Sequence, residues 1–173
     1  ISCKNEGNDL IPLTNHEIAL KLAQNANFTS YTSKVTNLQY YDVLPNYAAR
    51  LEPVVDISTE EEAIGYLSNI FSDGREIYEE FNTMRALLMD LQQAVPELQN
   101  LDKRDFEETL NLAFQYSYET SQIGRVEGCD KGCALGAAIG LAFCLPSLGA
   151  AGFGYFICAA GVATSTITCC YVE

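Results

Sequence analysis

The chain has 173 residues, with 10 Lys and Arg against 23 Asp and Glu, a single histidine and a net charge of -13. One domain, or a small domain with an attachment, fits that length. So acidic a chain repels the phosphates of nucleic acid and an anionic lipid surface over most of its length, and nucleic acid is excluded as a partner. The acid is concentrated: 21 of the 23 carboxylates precede Cys129, and residues 132–172 carry no Asp, Glu, Lys, Arg or His.

Residues 1–13 read as an exported tether. Ile1-Ser2-Cys3-Lys4-Asn5-Glu6 resembles the end of a bacterial lipoprotein signal of the Bacteroidetes type, in which an apolar and a small residue precede a cysteine that becomes lipidated. The resemblance implies that Cys3 carries lipid; a plain thiol is the alternative. Thr14-Asn15-His16-Glu17 has the Thr-x-x-Glu form of a capping box, and Ile18 and Leu22 add an apolar pair four residues apart, so a short helix starts here. Residues 25–56, rich in Asn, Thr and Tyr and holding Pro45 and Pro53, read as an irregular connection with one brief helix near Tyr47 to Leu51.

Ser58-Thr59-Glu60-Glu61-Glu62 offers overlapping capping boxes and places three carboxylates where the helix dipole favours them. A helix then runs to Phe71, with Ala63, Ile64, Leu67, Ile70 and Phe71 at helical spacing. Ser72-Asp73-Gly74 stops it and caps the next, whose Ile77, Phe81, Met84, Leu88 and Leu91 share a face and which ends at or just before Pro96. A further amphipathic helix runs from about Asp102 to Ser121, with Phe106, Leu110, Ala113, Phe114 and Ser117 inward. Residues 14–124 thus form an acidic helical bundle, with Gly124 and Gly128 as a hinge.

Residues 125–173 are a different material. Six of the seven cysteines, Cys129, Cys133, Cys144, Cys158, Cys169 and Cys170, fall in the last 45 residues. An even set in a short segment without histidine reads as a disulfide framework and hence an oxidising compartment, so the chain is exported, either lipid-anchored at the cell surface or in the periplasm, or secreted. Zinc and reduced thiols are the competing readings, but the spacings x3, x10, x13, x10 and none depart from the close pairs of structural zinc sites. Gly132, Gly136 and Gly140 are spaced by four and form a stripe along which a second helix can approach. Leu145-Pro146-Ser147-Leu148-Gly149 breaks the helix, and a second apolar run from Ala150 to about Ile167 returns, so the unit is a helical hairpin. Its arms are slightly short of a bilayer span; the hairpin either inserts into membranes or packs inside the bundle.

The fold class is therefore all-α: an acidic N-terminal bundle followed by a disulfide-stapled apolar hairpin. An acidic part followed by the compact segment from Gly128-Cys129-Asp130-Lys131-Gly132-Cys133 onward resembles the precursors of cysteine- and glycine-rich bacteriocins, with the layout of the archaeal halocins. The resemblance implies that the N-terminal part is leader and shield, that the tail is freed near Arg125 to Gly128, and that the tail acts on a membrane or membrane receptor, with self-association possible. With Asp130, Lys131 and Glu173 as its only charges, the tail lacks the cationic character that draws most membrane-killing peptides to anionic lipid. A lipid-anchored surface or periplasmic protein with a permanent C-terminal hairpin is the alternative.

No catalytic or cofactor-binding constellation is legible. His16 sits in a helix cap without a nucleophile motif, Glu60-Glu61-Glu62 points to successive faces and reads as a solvated helix start, and no Gly-x4-Gly-Lys-Ser/Thr loop is present in the sequence. Asn27-Phe28-Thr29 fits a glycosylation acceptor, a triplet that also arises by chance. The chain reads as a non-enzyme without cofactor or metal.

Overall fold

The computed structural model describes residues 13–50, 57–120, 131–144 and 154–171. They form an all-α structure: α1 (Asn15–Ala23), α2 (Ala26–Asn37), α3 (Tyr47–Arg50), α4 (Glu60–Ser68), α5 (Gly74–Ala94), α6 (Lys103–Thr120), α7 (Lys131–Cys144) and α8 (Gly154–Tyr171). A short 3-10 turn at Leu38–Tyr40 extends α2, and another at Pro96–Asn100 leads from α5 toward α6.

The local signals at helix starts are realised as hydrogen bonds. Thr14 Oγ1 accepts from Glu17 N while Glu17 Oε2 accepts from Thr14 N at 2.8 Å, a complete capping box on α1. Thr59 and Glu62 repeat it on α4. Asp73 caps α5 through Glu76 N at 2.9 Å, and Asp102 accepts from Asp105 N at 2.8 Å at the start of α6. Each cap satisfies a backbone donor that would otherwise have no intrahelical partner.

Two expectations are corrected. Residues 26–37, read as irregular, form the twelve-residue α2. Its Asn, Ser and Thr content gives little intrinsic helix preference, but Asn25 caps it through Asn27 N at 2.8 Å, and burial of Phe28, Tyr31, Thr32 and Val35 outweighs the propensity deficit. The helix expected to reach Phe71 ends at Ser68, with Asn69 as its C-cap. Ile70 and Phe71 leave the helix to pair with the chain after α2: Leu44 N donates to Ile70 O at 2.7 Å and Ser72 N to Asp42 O at 3.0 Å. Both side chains remain in the core. The brief helix near residue 47 is present as α3; Leu51 lies outside the described residues.

Helix α1 packs along α6, and α2 and α4 pack on α5. Lys34 on α2 pairs with Glu80 on α5 at 2.8 Å, and Lys21 on α1 with Glu97 in the 3-10 turn after α5 at 2.9 Å. Helices α7 and α8 pack on each other, and as a pair against α2, its 3-10 extension, α4, α5 and α6. One continuous core results, running from Ile18 and Leu22 through Phe71, Phe81 and Met84 to Leu141, Tyr155 and Phe156.

Candidate functional site

The candidate site is the hairpin α7–α8 and the surface that receives it. Two disulfides close it: Cys133 to Cys169, with Cα atoms 6.0 Å apart, and Cys144 to Cys158, 5.7 Å apart. Cys170 is disulfide-bonded as well. Cys3 and Cys129, and with them the lipidation candidate and the release region at Arg125 and Gly128, lie outside the described residues. Disulfides persist where thiols are not kept reduced, so the bonds indicate an oxidising extracellular or periplasmic environment.

The two bonds fix an antiparallel register in which paired positions sum to one value. Cys133 faces Cys169, Cys144 faces Cys158, and at the same offset Gly140 faces Val162. A Cβ at Gly140 would lie 3.1 and 3.2 Å from the two Val162 methyls, so the helices meet closely at this glycine. Gly136, also in the predicted stripe, and Gly161 have nothing within 4 Å of such a Cβ. They border an open groove of about 510 Å³ that also reaches Gly132, Ser165 and Thr166. The glycine stripe is thus divided between a tight helix contact at Gly140 and an open surface at Gly136.

The opposite face of the hairpin is buried. Ala138, Leu141, Ala142, Tyr155, Phe156, Ala159, Ala160 and Ala163 are all 4% exposed or less. Side chains of the helical bundle grip it. Tyr31, fully buried on α2, donates its hydroxyl to Ala138 O at 2.6 Å. Tyr78 on α5 stacks on Phe156 with centroids 4.6 Å apart, and Phe106 on α6 meets Phe143 at 5.3 Å. Lys103 Nζ stands 5.6 Å over the same Phe143 ring. Burial pushes the Tyr31 phenol well above its ordinary range, with a smaller contribution from Tyr155, and burial likewise raises Tyr155. Tyr155 Oη has no hydrogen-bond partner among the described residues.

Sequence reasoning did not single out Tyr31 or Tyr78. Tyr78 sits beside the apolar stripe of α5, and Tyr31 falls in a stretch whose composition suggested no helix, so neither carried a signal of its own.

Elsewhere the residues weighed for chemistry are surface features. His16 is exposed, its Nδ1 sharing a hydrogen bond of 2.7 Å with Tyr116 Oη. Glu60, Glu61 and Glu62 are exposed; Glu62 is held below the usual carboxylate range, first by the backbone N–H of Ser58, then by the Ser58 hydroxyl and Thr59. Among the described residues no group of three His, Cys, Asp or Glu is placed to hold a metal ion. No described helix is long and apolar enough to cross a membrane; α7 and α8, with 14 and 18 residues, span about 21 and 27 Å at 1.5 Å per residue, against a hydrocarbon core of about 30 Å.

Compared with protein-family models, curated proteins and solved structures, the chain finds no match. The chemistry of the hairpin and its receiving surface is therefore the ground on which a function rests.

Proposed function

We propose that the protein is an exported two-part chain, in which helices α1 to α6 act as an acidic shield and the stapled hairpin is a bacteriocin-like module, freed by cleavage between α6 and α7. The observation that carries this reading is where the cross-links fall. Both described disulfides join α7 to α8, and neither ties the hairpin to the bundle. These two bonds hold the arms to each other, Cys170 adds a bond to a partner outside the described residues, and the described contact of the pair with the shield is packing that is largely alanine. Each alanine methyl contributes only about one methylene's worth of burial, so cohesion is concentrated in Leu141, Tyr155 and Phe156. Once free, that face would be an uncharged apolar surface suited to lipid or to a membrane receptor. With no cluster of positive charge, attraction to anionic lipid is not part of the mechanism.

Mass spectrometry of the supernatant of a producing culture tests this. The expected species begins near Arg125 to Cys129 and carries the hairpin, and once isolated it inhibits neighbouring strains or leaks liposomes. Intact chain alone, together with an inert C-terminal fragment, refutes it.

A second reading, a lipid-anchored surface or periplasmic protein whose hairpin is permanent, is favoured by the Tyr31 to Ala138 hydrogen bond inside a continuous core. The two readings part on limited proteolysis between α6 and α7 followed by native size exclusion. A shield and its cargo separate; a permanent core elutes as one nicked particle until it is denatured.

A further inference from the structure

The two described disulfides sit in unlike surroundings. At one end of the hairpin Cys169 is exposed and Cys133 half-buried, both lining the open groove. At the other, Cys144 is 0% exposed within the core, although its partner Cys158 reaches the groove wall. Between the outer bond and the Gly140 to Val162 contact lie two helical turns, about 10 Å, along which Gly136 puts no side chain into the groove. On the groove side of that stretch the Cys133–Cys169 bond is the covalent tie between the arms. Beyond it they are locked by Val162 against Gly140 and by the inner bond.

We propose that Cys133–Cys169 is a thiol–disulfide exchange site for a low-molecular-weight thiol or dithiol entering the groove, and that its reduction unlatches the outer half of the hairpin while Cys144–Cys158 holds the inner half closed. A thiolate attacks Sγ of Cys169, forming a mixed disulfide and expelling Cys133 as a thiolate, which takes a proton from water at the groove edge. A second thiol then attacks the mixed disulfide, leaving Cys169 as a thiol and the reductant as its own disulfide; two thiols supply the two electrons. The same attack on Cys158 must expel a thiolate from Cys144. That anion would form without water in apolar surroundings, at a heavy desolvation cost. The selectivity lies in where the leaving sulfur stands, not only in which sulfur the reductant can touch. The site does not depend on the proposed release of the hairpin, because the whole chain already presents it.

Graded reduction of the intact, folded chain by a dithiol, trapped by acidic alkylation and mapped by fragment-ion mass spectrometry, tests it. Cys133 and Cys169 are expected to alkylate at least about tenfold faster than Cys144 and Cys158. Amide exchange on the partly reduced protein is expected to lose protection in 132–136 and 165–169 and to keep it in 140–144 and 155–162. Equal rates, earlier labelling of Cys144, or no labelling of either bond before denaturant overturns the exchange site. Selective reduction with protection unchanged in 132–136 overturns the latch.

Discussion

Gly74 occupies the first turn of α5, directly behind its cap Asp73, and replacing it by alanine tests how tightly α4 and α5 meet. An added Cβ would lie 2.5 Å from Ser68 N and 2.8 Å from Ile64 O, and would also overlap Ser68 Oγ. The first two are backbone atoms of the last turn of α4 and cannot rotate away. Alanine ordinarily gains about 0.5–1 kcal/mol over glycine in a helix, but overpacking of a fixed surface costs about 1–3 kcal/mol. Close backbone contact puts the cost at the upper end, for a net loss of about 1–2 kcal/mol. For a chain this long that is roughly 2–8 °C in Tm. Gly65, exposed on α4 with nothing within 4 Å of its Cβ position, is the control; Gly65→Ala gains about 0.5–1 kcal/mol. Urea and thermal unfolding of both variants decide it. A Gly74→Ala protein as stable as the unaltered chain would refute the close approach of α4 and α5.

The same geometry carries three further outcomes. Tyr31→Phe removes the hydroxyl that Ala138 O accepts and is expected to cost about 0.5–1.5 kcal/mol in urea unfolding; no change would mean the bundle does not grip the hairpin there. The phenols of Tyr31, Tyr66 and Tyr155 are raised by burial, and that of Tyr41 is pushed up to about 12, by burial first and then by Glu80 and Glu76. Unfolded phenols lose their protons from about pH 10, before the folded ones do, so stability is full below that pH and falls between pH 10 and about 12; a urea midpoint flat over that window contradicts it. Glu17, Glu62 and Glu97 are held below the usual carboxylate range, by the Thr14 N–H, the Ser58 N–H and Lys21 respectively. Their contribution is present above about pH 4.5 and is lost as pH falls through their lowered values, because the unfolded chain takes up protons first. Glu17→Gln with Glu62→Gln is expected to flatten the acid limb of the stability curve, and an unchanged slope refutes the assignment.

The parts of this fold visible in the sequence are those decided within four residues. Thr14 with Glu17, Thr59 with Glu62, and Asp73 each mark a helix start because the cap and its partner are local. Helix α2 was not visible because Ser30, Thr32, Ser33 and Thr36 argue against helix locally, and the burial that overrides them comes from α5 and α7. The hairpin arms were visible as two uncharged runs. Their inward faces were not, because an alanine- and glycine-rich helix without charge has no polar side to betray the buried one. Likewise the stripe at Gly132, Gly136 and Gly140 announced a close approach but could not say that Gly140 would make it and Gly136 would border open space. That choice depends on where Val162 stands across the register.

The paired disulfides also change what cutting the chain means. Between Cys133 and Cys169 the backbone and its two rungs form nested closed rings. Any single break of the backbone inside that span, in an arm or at the turn, leaves every residue joined to every other through a rung. A protease needs at least two cuts before a fragment can depart. A linear peptide of equal length loses its integrity at the first nick; this one keeps it.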